Sequence, residues 1–569
     1  MPLTVPAGTT ILEAARQADI EIPTLCYMKE LNQIGACRIC MVEIKGAKSL
    51  AAACVFPVAD GMEVLTNTPR VHESRRGTLE LILSTHDRKC LSCLRSGSCE
   101  LQTLCHTYKV DNEAAYDGEN HIYDIDKSTP YLERDNNKCI LCRRCSAVCR
   151  ETQDVGVIGA NERGFNTHIG CAFDLDLDEV SCVACGQCVA VCPTGALTEV
   201  DDTAEVWEAL NNPAKHVVVQ TAPAVRAALG EGFGLPVGTD VTGKMTASLR
   251  RLGFHGVFDT VFGADLTIME EAAEFIDRVQ NNGVLPIITS CSPGWVKYCE
   301  HYFPEFIPNL SSCKSPQQMF GAITKTWYAK NNNLDPKDIV VVSVMPCIAK
   351  KFEIIRDDQA AAGVPDVDVV ITTRELARMI KRAGLDFSKL PDEDFDNPLG
   401  VSTGAGLIFG ATGGVTEAAL RTAVEWITGK ESEAVDFKEV RGIDGMKEAE
   451  YNVGGIAVKI AVVSGLSNAR KLFEQIKSGE KSYHLIEIMA CPGGCVNGGG
   501  QPIQTAAFRD QNDLRKLRGS VLYNGDKDKP TRKSHENPVI KKLYDEYLEK
   551  PGSHKAHDIL HTGYVKRDV

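Results

Sequence analysis

From about residue 213 the chain alternates short, β-branched runs with longer segments of helical period. "KHVVVQTAP", "GVLPIITSC", "DIVVVSVMPC", "VDVVIT", "KIAVVSGL" and "YHLIEIMAC" are nearly continuous apolar runs, as expected of strands buried on both faces of a mostly parallel sheet. Between them, "LTIMEEAAEFIDRVQNN" and "SPQQMFGAITKTWYAK" carry helical periodicity, which predicts helices covering the sheet. Sheets of this kind bind ligands beyond the carboxyl ends of their strands. Three of the runs end there in a cysteine: Cys291, Cys347 and Cys491. Cys495 follows in "CPGGC", whose glycines let backbone approach a cofactor closely.

The first 205 residues are organised by cysteines, after a capped helix predicted in "VPAGTTILEAARQADI". Cys26, Cys37, Cys40 and Cys54 form one set: a long gap, C-x2-C, then a distant fourth. That spacing suits a 2Fe–2S site wrapped by a loop; zinc, which also uses four cysteines, is the alternative. The set resembles plant-type ferredoxin with a different first gap, and more closely its variant in hydrogenases and respiratory complex subunits. The family's first strand precedes a segment like "VPAGTT", so the domain is expected to lack it. "HDRKCLSCLRSGSC" then supplies His86, Cys90, Cys93 and Cys99, a set that holds zinc or a 4Fe–4S cubane equally well. After a ferredoxin-like domain it resembles the histidine-ligated 4Fe–4S segment of hydrogenases and complex I. Cys105 falls outside that pattern and reads as structural.

"CILCRRCSAVC" (139–149) and "CVACGQCVAVCP" (182–193) repeat C-x2-C-x2-C-x3-C, the signature of bacterial two-cluster ferredoxins, in which the fourth cysteine crosses to the other cluster. One cubane is then expected on Cys139, Cys142, Cys145 and Cys192, and the other on Cys149, Cys182, Cys185 and Cys188. Cys171 lies between them and needs no metal. Four clusters in series serve electron transport over a distance.

Composition narrows the setting. A chain of 569 residues holds several domains, and its net charge of −14 argues against general nucleic-acid binding. "MPLTVPAGTT" has no basic start or apolar core of a secretory signal, and "DIVVVSVMPCIA" is too short to span a bilayer. A cytoplasmic protein is expected, where closely spaced cysteines, 23 in all, mean metal or redox chemistry.

"TSCSPGW", "MPCIAKKFE" and "EIMACPGGCVNGG" resemble the three FeFe-hydrogenase signatures TSCCPxW, MPCxxKxxE and ExMxCxxGCxxG. The resemblance extends to the C-terminal "RKSHENPVIKKLYDEYLEKPGSHKAHDILH", which is similar to the small-subunit segment of single-chain members. It implies reversible H2 oxidation and proton reduction at an H-cluster, a 4Fe–4S cubane linked to a 2Fe subsite bearing CO, cyanide and a dithiolate amine. By the same resemblance Cys347, Cys491 and Cys495 ligate the cubane, and Cys495 bridges to the diiron unit. Lys350 would donate to a cyanide; Met345 and Met489 would pack on the diiron unit, and Ala222, Pro223, Ser315 and Gln317 would line its pocket. Glu271, Glu274, Ser311 and Arg278 match relay positions for protons, with Cys291 as the thiol facing the amine. Glu271 and Glu274 are three apart in a predicted helix and share a face.

One signature is imperfect. Ser292 stands where the family has a cubane ligand, and Cys313 in "LSSCKSP" stands where its best-known members carry a small apolar residue. Cys313 completing the cubane, Cys291 moving into the ligand role and direct ligation by Ser292 all stay open.

The expected domains are 1–77 (2Fe–2S), 78–118 (histidine-containing 4Fe–4S segment), 119–205 (two-cluster ferredoxin-like), 206–510 (catalytic) and 511–569 (small-subunit-like). The expected fold is a two-lobed α/β catalytic domain, its mostly parallel sheets covered by helices, preceded by α+β ferredoxin-like domains. The cofactor set is the H-cluster, three further 4Fe–4S clusters and one 2Fe–2S. "GATGGV" and "GEGFGLPVG" lack the strand–turn–helix context of a dinucleotide fingerprint. Flavin- and NAD(P)-binding partner subunits are therefore expected, as in NAD(P)-linked or electron-bifurcating complexes, along with maturation proteins for the diiron site. A single-chain ferredoxin-dependent enzyme and a non-catalytic scaffold or sensor are the alternatives.

Overall fold

The computed structural model describes residues 1–111, 116, 120–430 and 436–568. The expected boundary at 118/119 lies outside the described residues. At the N-terminus, helix Ile11–Gln17 starts at Thr10, whose hydroxyl accepts from the Glu13 N–H, a normal cap for a first-turn donor. It leads to a small antiparallel sheet in which Met41–Ile44 pairs with both Ala51–Ala52 and Val64–Leu65. Helix Pro69–Ser84 carries the chain to the histidine-containing segment. Its buried Arg75 donates to Met41 O and to Tyr108 Oη, both at 2.9 Å, and so ties the two regions together. Glu100 in turn pairs with Arg144 at 2.8 Å. That contact links the segment to the two-cluster domain.

The two-cluster domain is closed by the antiparallel pair Leu132–Arg134 and Leu197–Glu199. Gly186, at φ +70°, precedes its second short helix, Gln187–Val191. A Cβ there would lie 2.5 Å from Ile348 Cδ1 in the catalytic domain. Only glycine combines that backbone with so close an approach.

The catalytic domain has two four-stranded sheets. The first runs β5-β4-β1-β2, all parallel: β1 His216–Thr221, β2 Gly256–Asp259, β4 Ile339–Met345 and β5 Val369–Thr372. The second runs β3-β8-β7-β6: β3 Ile287–Ile288, β6 Met446–Val453, β7 Ile456–Ser464 and β8 Leu485–Met489. Its β6 is antiparallel to β7 and the other pairs are parallel. The long helix α1 (Val261–Gln280) and α3 (Pro316–Ile323) pack on these layers, and α2 (Pro293–Tyr302) and α4 (Ala349–Glu353) follow the first two signature loops.

Two strands were not legible in the sequence. β2 has only the residues GVFD, too few to show a period. β6 (MKEAEYNV) has mostly half-buried or exposed positions, as suits an edge strand. Conversely, "GVLPIITSC" yields only two strand residues, because Pro286 has no N–H for a ladder.

The C-terminal segment lies along the catalytic domain. Arg518 is buried and pairs with Glu231 at 2.7 Å, while its Nη1 donates to Val496 O at 3.0 Å, one residue beyond Cys495. Arg421 and Asp526 make a second buried pair at 2.8 Å. Among the described residues no helix is long and apolar enough to cross a membrane.

Candidate active site

The carboxyl ends of strands from both sheets meet at one cavity. β4 delivers Met345 and Cys347, β8 delivers Met489, β1 delivers Ala222 and Pro223, and β3 leads to Cys291. Gln317, Lys350 and Cys495 complete this part of the wall. Cys491 lies one residue beyond Ala490, and its thiol is influenced by both Cys347 and Cys495. The third signature can turn this tightly because a Cβ on Gly494 (φ +95°) would meet Thr412 N at 2.7 Å, and one on Gly498 would meet Pro346 O at 2.1 Å.

The residues fit an iron–sulfur group. Cys491 is buried and Cys347 and Cys495 are half-buried, and burial pushes each thiol above its ordinary value, Cys495 to about 12. A thiolate in such a place is stabilised by a bound metal cation. Gln317 Oε1 is buried with no protein partner on the same cavity wall. Lys350 is the one basic side chain among the lining residues. Its Nζ donates to Ser315 Oγ at 2.7 Å and to both Glu353 oxygens at 2.9 Å, and Gln317 Nε2 reaches the same carboxylate at 3.0 Å. Ser315 therefore supports the wall through Lys350.

A row of proton-carrying groups approaches along α1. Glu271, Glu274 and Arg278 share one helix face, as spacing dictates. Arg278 pairs with Glu274 Oε1 at 2.5 Å, and Ser311 Oγ donates to Glu274 Oε2 at 3.0 Å. The Ser312 N–H donates to both oxygens. Glu271 is pushed up to about 8 by burial and by the charge of Glu274, so its carboxyl holds a proton at neutral pH. One of its oxygens has no partner. Cys291 is raised further by burial and by Glu271, with Lys350 opposing.

Ser292 and Cys313 separate clearly. Ser292 precedes α2, and its Oγ accepts from the Ala490 N–H at 3.3 Å, beside Cys491. Cys313 Sγ instead lies 3.8 Å from Glu274 Oε2, and the groups that influence it are Glu274, Glu271, Glu270 and Ser311. The segment 311–313 runs beside α1, where Cys313 meets Glu274. Cys291 lines the cavity with Lys350.

The cluster cysteines gather as follows. One cavity of the two-cluster domain is lined by Cys139, Cys142, Cys145 and Cys192, and another by Cys149, Cys182, Cys185 and Cys188. Cys491 influences Cys185, and a Cβ on Gly499 would lie 2.7 Å from Cys185 O. The second quartet is therefore the neighbour of the catalytic cavity. Cys40 Sγ and Cys54 Sγ are 3.3 Å apart, with Cys26 and Cys37 also paired and adjacent. His86, Cys90 and Cys99 line one cavity and Cys93 lies near Cys99. Cys105, read from sequence as structural, lines that cavity too. His86 Nδ1 is buried without a partner, and burial favours its neutral ring, the form that binds metal. Cys171 instead accepts from Arg134 at 3.5 Å.

Residues 215–499 match the family described as iron only hydrogenase large subunit, C-terminal domain. The chain belongs to the iron-only hydrogenases. Residues 512–567 match the iron hydrogenase small subunit, 1–69 a 2Fe-2S iron-sulfur cluster binding domain, 75–114 the NADH-ubiquinone oxidoreductase-G iron-sulfur binding region and 138–196 a 4Fe-4S dicluster domain. The hydrogenase is 54% identical to the NADP-reducing hydrogenase subunit HndD of Solidesulfovibrio fructosivorans, over 99% of this chain and 97% of that one. It is 46% identical to iron hydrogenase 1 of Clostridium pasteurianum, over 98% and 97%. Its fold matches a variant of the FeFe-hydrogenase HydA1 from Chlamydomonas reinhardtii with a TM-score of 0.59 and 41% identity, over 65% of this chain and 100% of that one. The hydrogenase thus carries an H-cluster domain and N-terminal 2Fe–2S and 4Fe–4S domains.

Several neighbours of the site were missed in the sequence. Phe409 and Gly410 line the cavity, and Gly410 opens the "GATGGV" stretch that had been weighed only as a dinucleotide motif. That stretch caps helix Gly414–Thr428, where Gly413 N–H and Thr416 N–H donate to buried Glu487 at 2.6 and 2.8 Å. Its glycine density was the available signal. Glu270 and His561, both beside the Glu274 cluster, had no local signal at all.

Proposed function

We propose that this hydrogenase is the catalytic subunit of an NADP-linked complex, exchanging electrons through its N-terminal clusters with flavin- and NAD(P)-binding partner subunits. The observation that carries the reading is the meeting of Cys347, Cys491 and Cys495 with Cys185 on one side and Cys291 on the other. Electrons and protons then reach one pocket by separate lines. The 54% identity to an NADP-reducing subunit over nearly the whole chain supports the choice of partner.

When bound, the H-cluster supplies the redox chemistry that joins two protons and two electrons as H2. The chain's own residues do the rest. Cys347, Cys491 and Cys495 would hold the cubane, and Cys495 would also tie it to the diiron subsite. Ser292 would take the fourth position through Oγ, a reading supported by its place against the Ala490 N–H beside Cys491. Lys350, held by Ser315 and Glu353, would offer positive charge to a cyanide ligand. Met345 and Met489 fill the remaining wall with adaptable apolar volume. Arg278 and Ser311 position Glu274, Glu271 holds a proton at neutral pH, and Cys291 completes the delivery. Cys26, Cys37, Cys40 and Cys54 hold the 2Fe–2S cluster; His86, Cys90, Cys93 and Cys99 hold one cubane, and the two quartets hold two more.

Two experiments test this. H2-dependent reduction of NADP is expected from the assembled complex and not from this chain alone; reduction of ferredoxin by the isolated chain at a comparable rate would contradict it. Iron counting and electron paramagnetic resonance after maturation test the ligands. Ser292→Ala is expected to disturb the catalytic cubane and Cys313→Ala to leave it complete; the opposite pattern would return Cys313 to the ligand set.

A further inference from the structure

Cys313 and the C-terminal segment meet beside the proton line. Glu274, Cys313 and His561 each offer one ligand atom, and these atoms all lie within 4.8 Å of one another. Cys313 and His561 are held together by an isolated antiparallel backbone bridge. Cys313 is fully buried, and the side chains of His561 and Glu274 are 5% and 14% exposed. His561 Nε2 lies 3.1 Å from Glu270 Oε2 and its Nδ1 lies 2.8 Å from Ser312 Oγ. Glu270 is itself fixed by Tyr544 Oη and, at 2.9 Å, by the Gly552 N–H.

We propose that Glu274, Cys313 and His561 form a binding site for a zinc-like divalent cation, which blocks proton delivery when it is filled. A thiolate, an imidazole and a carboxylate suit a borderline-soft ion, and three protein ligands leave a fourth position for water or Ser312 Oγ. A carboxylate on the far nitrogen of a ligating histidine orients the ring and raises its basicity, and Glu270 occupies that place. Arg278 engages mainly Glu274 Oε1, which leaves Oε2 facing Cys313. Zinc bonds of about 2.0–2.3 Å require ligand atoms somewhat closer than they stand, so the three side chains close on the ion by small rotations. Glu274 is then pinned by the metal and withdrawn from Ser311.

The consequence for rate rests on the relay reading of Glu274, whereas binding itself does not. The test uses matured holoenzyme and zinc chloride. H2 evolution from reduced viologen is measured against zinc concentration, each variant relative to its own zinc-free rate, and X-ray absorption at the zinc edge reports the ligands. Wild type is expected to be inhibited reversibly, with a single sulfur in the zinc shell. Cys313→Ala and, independently, His561→Ala are expected to raise the half-inhibiting concentration by about tenfold or more, as loss of even supporting groups does at metal sites. Cys313→Ala also removes the sulfur from the shell. Unchanged half-inhibition in both variants, or a wild-type shell without sulfur, would overturn the site. Zinc bound with the sulfur shell but without inhibition would overturn the relay role of Glu274 instead.

Discussion

The N-terminal third and the catalytic pocket both bind iron through cysteine, but they are built in opposite ways. In the two-cluster domain each quartet comes from two short stretches, 139–149 and 182–192, and each lines its own cavity. In the pocket, Cys291, Cys347 and Cys495 arrive from separate strand ends of two sheets, and Lys350, Gln317 and Phe409 from loops and helices between them. The first arrangement depends on local spacing and tolerates a small scaffold. The second needs both sheets in register and the C-terminal segment in place. It follows that electron relay and catalysis can be damaged independently.

The largest separation is expected from Cys495→Ala. Without the link to the diiron subsite, H2 turnover with any electron donor is lost, while the paramagnetic signals of the N-terminal clusters persist. Glu271→Gln comes next: iron content is unchanged, and turnover falls by roughly 10²–10⁴, the range for removing a proton-transfer group. Exchange between H2 and D2O falls with it. Cys188→Ala sharpens the contrast from the other side. Loss of the cluster nearest the cavity slows NADP-linked turnover, while exchange in D2O, which needs no net electrons, continues.

Arg518→Ala tests the scaffold and not the chemistry. Its guanidinium and Glu231 are both buried, so removing one partner costs about 3–5 kcal/mol, seen as a lower midpoint of unfolding. The smallest effect is on pH. Glu271 carries its proton below about 8 and loses it above. The rate of proton reduction is therefore expected to be level up to that pH and to decline beyond it, and Glu271→Gln removes this limb of the profile.

Much of this was legible in the sequence because cysteine spacing is local. The two cysteine repeats of the two-cluster domain follow from counting, their crossed quartets from the ferredoxin resemblance, and five of the apolar runs became strands of four or more residues. What escaped has identifiable causes. β6 is an edge strand with little apolar signal, and Phe409, Gly410 and His561 lie far in sequence from the groups they join. Ser292 and Cys313 could not be told apart by chain order, since both are near Cys291. Only the fold sets one against Ala490 and the other against Glu274.

The central claim is that Cys291 ends the proton line and is not an iron ligand. The most direct measurement is on matured Cys291→Ala, combining its infrared spectrum with H2/D2O exchange. CO and cyanide bands of wild-type intensity are expected together with loss of exchange. Loss of the bands and of the cubane would make Cys291 a ligand, and bands with full exchange would mean that protons reach the pocket by another way.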